Sequence, residues 1–126
     1  MNEHNKHFTK HFNNGIIHLI TLWIISKERI HGYGIMKKLD ELFIGSIQSN
    51  TYKKTSSSKI YPTLKRMEKR GLITGRWETN ENNKKVKYYE ITSEGKELLE
   101  LIQIKWAELS NNPIWREFIS DMSGKA

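Results

Sequence analysis

The sequence predicts a mostly α-helical chain carrying one two-stranded β-ribbon, or wing, between its third and fourth helices. Three observations lead there. Apolar residues recur at helical spacing in four separate stretches. Two short runs rich in β-branched and aromatic residues, 72–78 and 86–92, flank a polar turn at 79–85. A lone glycine, Gly71, divides the third helical stretch from the first of those runs.

The elements follow in order. Residues 1–12 are polar and His-rich, with Phe8 and Phe12 one turn apart, which suits a loose arm or a short amphipathic helix. Gly15 is expected to loosen the chain. Residues 16–25 then form a helix that is apolar nearly all round, and such a helix must be covered on more than one side. Part of that cover is expected from a second subunit. His18 and Thr21 interrupt the run, and ten residues fall well short of the roughly 20 that a membrane span needs. Residues 27–29 read as a polar turn. A second helix follows His31-Gly32-Tyr33-Gly34, with Ile35, Leu39, Leu42 and Phe43 on one face. Residues 44–55 lack a period and read as a loop.

Ser56, Ser57 and Ser58 offer N-cap hydroxyls to a third helix, with Pro62 expected in its first turn. Ile60, Leu64 and Met67 form its buried stripe, and the remaining residues, Thr63 among them, are left to its other faces. After the ribbon, whose tip is expected to be flexible and whose Trp77 is expected to cover the core, Thr92 or Ser93 caps a fourth helix. Its Leu98, Leu99, Leu101, Ile102, Ile104, Trp106 and Leu109 make a broad apolar surface. Asn112-Pro113 restarts a short final helix. The predicted fold class is thus mostly α with a two-stranded β-wing: a winged helix-turn-helix over residues 1–92, plus C-terminal dimerisation helices over 93–126.

Charge placement points to a partner. Residues 53–87 hold eleven Lys/Arg against three Glu, an excess of eight, whereas the rest of the chain is nearly neutral. A concentrated basic stretch on a third helix and its wing is the footprint of a DNA-binding surface. Residues near the start of such a helix reach deepest into a major groove. Ser57, Ser58, Lys59, Tyr61 and Pro62 are therefore the candidates for base edges, with Tyr33 from the second helix counted among the DNA contacts. Lys65 and Arg66 suit phosphates, as do Lys84, Lys85 and Lys87 on the wing.

Other chemistries find little support. There is no cysteine, so no disulfide, zinc-thiolate site or thiol nucleophile is available, and this fits a cytoplasmic protein. No secretory signal pattern is expected at the N-terminus. No Gly-rich phosphate loop or nucleophile motif is present, so an enzyme is not expected. His4, His7, His11 and His18 lack a carboxylate or cysteine to complete a site, so no metal and no cofactor are expected. Two rivals remain at this point. A protein-interaction winged helix would not need the basic stretch, and a non-specific architectural DNA binder would share it.

Three segments resemble the PadR family of transcriptional regulators: His31-Gly32-Tyr33-Gly34-Ile35, the run from Ile60-Tyr61-Pro62 through Leu64-Lys65-Arg66 to Gly71-Leu72-Ile73, and Lys87-Tyr88-Tyr89-Glu90-Ile91-Thr92-Ser93-Glu94-Gly95. The resemblance covers about residues 16–109. It implies a homodimeric repressor held by its terminal helices, which a small aromatic or drug-like effector releases from double-stranded DNA. It also places Trp106 where an aromatic residue lines the effector pocket in some members, and Trp23 is a second candidate there. Ser58 departs from the family, which often has glycine at that position.

Overall fold

The computed structural model describes residues 2–50 and 54–124. Asn2 starts helix α1 (Glu3–Lys27), its side-chain oxygen accepting the Asn5 N–H at 2.8 Å. The helix runs unbroken through Gly15, which corrects the expected loosening there. A glycine inside a helix costs only about 1 kcal/mol. Ile17, Leu22, Ile24 and Ile25 are buried further along, and each such side chain contributes about 1.5–3 kcal/mol. Thr21 lies between them, buried, with its hydroxyl lacking a hydrogen-bond partner.

Strand β1 (Ile30–His31) leads directly into α2 (Gly32–Leu42). Phe43 ends α2, and a further short helix, α3 (Ile44–Gln48), corrects the expected loop over that part. Residues 51–53 of the same expected loop lie outside the described residues. Then come α4 (Ser57–Lys69), β2 (Ile73–Thr79), β3 (Lys85–Ile91), α5 (Ser93–Ser110) and α6 (Pro113–Met122). The sheet has three antiparallel strands in the order β1-β3-β2, not two, because Ile30 and His31 pair with Tyr89 and Tyr88. Two residues are too few for any period to reveal a strand.

The chain falls into two compact units, Met1–Lys96 and Glu97–Ala126. The core of the first is contributed by α1, by Ile35 and Leu39 of α2, by Ile60, Leu64 and Met67 of α4, and by Ile73 and Tyr89 of the sheet. Gly71, at φ +75°, closes α4 in the left-handed conformation that glycine tolerates, while the Leu72 N–H returns to the Met67 carbonyl at 3.0 Å. Thr92 then ties the sheet to this exit. Its hydroxyl donates to the Gly71 carbonyl at 2.5 Å and accepts the Gly95 N–H at 3.1 Å, capping α5.

The second unit is a helical hairpin. Asn112 caps α6 by accepting the N–H groups of Ile114 and Trp115 at 2.9 and 3.2 Å, as the Asn-Pro pair predicts. The Trp106 and Trp115 rings meet edge to face, 6.0 Å apart, and the Arg116 guanidinium donates to the Ser110 carbonyl at 3.1 Å. Among the described residues no helix is long and apolar enough to cross a membrane.

Candidate nucleic-acid interface

The two faces of α4 separate core from charge. Ile60, Leu64 and Met67 are buried as the periodicity predicts, while Ser57, Ser58, Lys59, Tyr61, Pro62, Lys65 and Arg66 are exposed. Two expectations need correction. Thr63 belongs to the inner face: it is buried, donates to the Lys59 carbonyl at 3.2 Å and accepts from Arg66 at 3.3 Å. Pro62 lies in the second turn, because the helix already begins at Ser57. Its ring removes the N–H that the Ser58 carbonyl would receive, and Ser58 is exposed enough to turn to water instead. The N-cap is Ser56, whose hydroxyl pairs with that of Ser58 at 2.9 Å and not with the helix end. At the same end, desolvation and then the Lys10 charge lower the pKa of Lys59.

The sequence motifs meet one another in space. The Tyr61 ring lies against the backbone of Gly32, where any Cβ would overlap its hydroxyl and ring carbons. Glycine at position 32 thus lets α4 lean on the start of α2, and Tyr61 is divided between this packing and the surface. His31 caps α2, its ring nitrogen accepting the Gly34 N–H at 2.9 Å. Tyr33, one residue on from Gly32, projects into solvent. Asp40 of α2 accepts the Thr55 N–H at 2.8 Å and so holds the entry to α4. That Asp40 role has no local signal in the sequence, since its partner is fifteen residues away.

The wing is bound to α4 by an ion pair. Lys87 of β3 donates to Glu68 of α4 at 3.0 Å, and Gly75 of β2 leaves the space it crosses, where a Cβ would collide with the Lys87 chain. Lys84 and Lys85 are exposed at the tip. The tip closes on its own hydrogen bonds. Asn80 accepts the N–H groups of Asn82 and Lys84 at 2.9 and 3.0 Å, and Asn83 takes φ +59° to close the turn. Trp77 does not cover the core: it is 67% exposed. Arg29 reaches the other side of β2 and holds Glu78 with both terminal nitrogens, its guanidinium 4.2 Å from the Tyr88 ring. The hydrogen bond to Arg29 holds the Glu78 carboxyl below its usual pKa.

The other candidates lie apart from this surface in sequence. Trp23 is 48% exposed on α1. Trp106 is 59% exposed and borders an open hollow of about 520 Å³ with Ser110, Trp115 and Arg116. On α1 the His7 and His11 ring nitrogens stand 3.0 Å apart, and His18 meets the Asn14 carbonyl at 2.9 Å. No group of three or more metal-ligating residues occurs among the described residues.

A helix with one buried stripe and one basic face, joined to a β-ribbon on a small helical core, is the build of a winged-helix nucleic-acid-binding domain. The profile of the PadR-like family of transcriptional regulators matches residues 21–101, and the chain belongs to that family. It is similar to the crystal structure of a PadR-like transcriptional regulator from Bacillus cereus, at 34% identity over 77% of this chain and 86% of that one, with a TM-score of 0.62. A PadR family transcription regulator from Clostridium difficile is 26% identical over 82% of this chain and 97% of that one, TM-score 0.63. A third, from Eggerthella lenta, is 20% identical over 94% and 91%, TM-score 0.60, and shares the fold. No curated protein matches.

Proposed function

We propose that this chain is a homodimeric, sequence-specific repressor. Each copy lays α4 in a major groove, and the β2–β3 ribbon follows the adjoining backbone. Two copies on a pseudo-palindromic site would place these helices about 10 base pairs apart, or a multiple of that. The carrying observation is the outer face of α4, where Lys65 and Arg66 stand exposed behind a helix start made of Ser57, Ser58, Lys59, Tyr61 and Pro62. Tyr33, Lys84 and Lys85 extend the surface. Lys87 is engaged with Glu68, so its part is to hold the wing, and the phosphate role falls to Lys84 and Lys85. The exposed apolar faces of α1, α5 and α6 supply the dimer contact. A small aromatic effector would bind beside Trp106, or else beside Trp23, and shift the population toward a spacing that no longer fits the grooves.

The test is binding to DNA from upstream of the chain's own gene, against scrambled DNA, over a salt series. A preference of roughly a thousandfold, with affinity falling steeply in salt, supports the reading. Equal binding to both sequences at every salt defeats specific readout and favours the architectural alternative.

A further inference from the structure

We propose that Trp77 is a DNA-contacting residue of the wing, its indole packing on the sugar–phosphate backbone beside Lys85. The inference rests on the winged-helix reading above. Alternation along β2 puts Ile73, Gly75 and Trp77 on one face of the sheet. The register sets Gly75 opposite Tyr89, Trp77 opposite Lys87 and Thr79 opposite Lys85. This face can be followed outward from the core. Ile73 and Tyr89 are buried at its base. At the next level Glu68 of α4 meets Lys87 across Gly75, so it is the face turned toward the basic helix. One step further out stands Trp77.

A large apolar ring left in water on an edge strand is a liability that proteins usually avoid. Here it is framed by charge. Trp77, Glu78, Thr79 and Lys85 line an open hollow of about 470 Å³. The one acid of that hollow is held by Arg29 from the other side of the strand, which leaves Lys85 to set its sign. Asn80 fixes the turn that carries Lys84 and Lys85. Glu81, also on the turn, is exposed, and the lysines outnumber it. An indole beside a lysine, on the side of the wing that faces α4, matches a deoxyribose and its phosphate. The ring meets the apolar sugar, its N–H can donate to a phosphate oxygen, and the ammonium supplies the charge.

The probe is the tightest duplex that the wild-type chain selects from a random-sequence pool. Affinity is measured across a salt series for wild type, Trp77→Ala, Trp77→Phe and Lys85→Ala, each checked for cooperative thermal unfolding. Trp77→Ala is expected to weaken binding about tenfold. The slope of log affinity on log salt should stay unchanged, because an uncharged ring displaces no counterion. Trp77→Phe should keep part of the affinity, and Lys85→Ala should reduce the slope by about one. Trp77→Ala binding as tightly as wild type at every salt overturns the inference and leaves the proposed function standing. A slope lowered by Trp77→Ala as much as by Lys85→Ala also overturns it, since the ring would then only place the lysine. A wild-type chain that selects no duplex defeats the proposed function, and this inference with it.

Discussion

Residues 1–96 and 97–124 are built from similar side chains and reach opposite outcomes. In the first region Ile35, Leu39 and Leu64 are wholly buried, and three helices and a sheet converge on them. In the second, none of the described residues is buried, and Leu101, Ile104, Trp106, Ile114, Phe118 and Ile119 all meet solvent. Two helices joined by a tight cap can satisfy their ends without enclosing a core. A sheet is what lets the first region surround its apolar side chains. The lesson is that capping and packing are separable. Asn112 organises α6 as well as Thr92 organises α5, yet only the start of α5, at Gly95, is buried. An apolar surface this wide is usually a contact surface, and the proposed dimer gives it one.

The sharpest way to break this contrast is a pair of leucines. Leu64→Ala should lower the unfolding free energy by about 3–5 kcal/mol at every protein concentration, read by urea denaturation. Leu101→Ala should cost less than about 0.5 kcal/mol in dilute protein, with the gap from wild type widening as concentration rises. Equal, concentration-independent losses would erase the distinction between the regions.

A smaller effect marks where close packing ends. Glycine inside a helix is normally improved by alanine, but a Cβ on Gly95 would overlap the Leu72 carbonyl and sit 2.6 Å from Ile91. Gly95→Ala should therefore lose about 1–3 kcal/mol. Gly15→Ala, where a Cβ meets nothing within 4 Å, should gain up to about 1 kcal/mol. Thermal midpoints of the two variants should move in opposite directions.

The smallest effect is alkaline. Burial, with help from Glu68 and Tyr61, pushes the Tyr89 hydroxyl up to about 12. The unfolded chain gives up this proton first, near pH 10, so folding stability falls as pH rises from there toward 12. The loss stays below about 1 kcal/mol up to pH 10.5. Tyr89→Phe should flatten the decline of the denaturation midpoint in that window. All five tyrosines precede residue 97, so no tyrosine of the second region adds to it. A decline as steep in the variant as in wild type would remove Tyr89 as its source.

The sequence made most of the fold legible wherever one residue does one local job. Gly71, the Asn112-Pro113 pair, Thr92 and the Ile60, Leu64, Met67 stripe each carry their signal in the spacing or chemistry around them. It was least legible where distant residues decide. Gly15 reads as a break until the burial beyond it outweighs a single glycine. Thr63 reads as surface until its hydroxyl finds the Lys59 carbonyl and the Arg66 side chain. Trp77 reads as core by composition alone, and only the strand register shows that the core has ended by that point. At the candidate interface the basic residues were visible as a cluster. The groups that hold them, Glu68, Asp40, Arg29 and Asn80, were not, because three of the four act on partners fifteen or more residues away.

The bond between Glu68 and Lys87 bears on how the proposed release would work. Helix and ribbon share that bond, and the hydroxyl of Thr92 ties the sheet to the turn at Gly71. A signal that tilted the helix alone would have to give up this clasp, whereas one that carried helix and ribbon together would keep it. The clasp therefore favours release by a change of position over release by a change of shape.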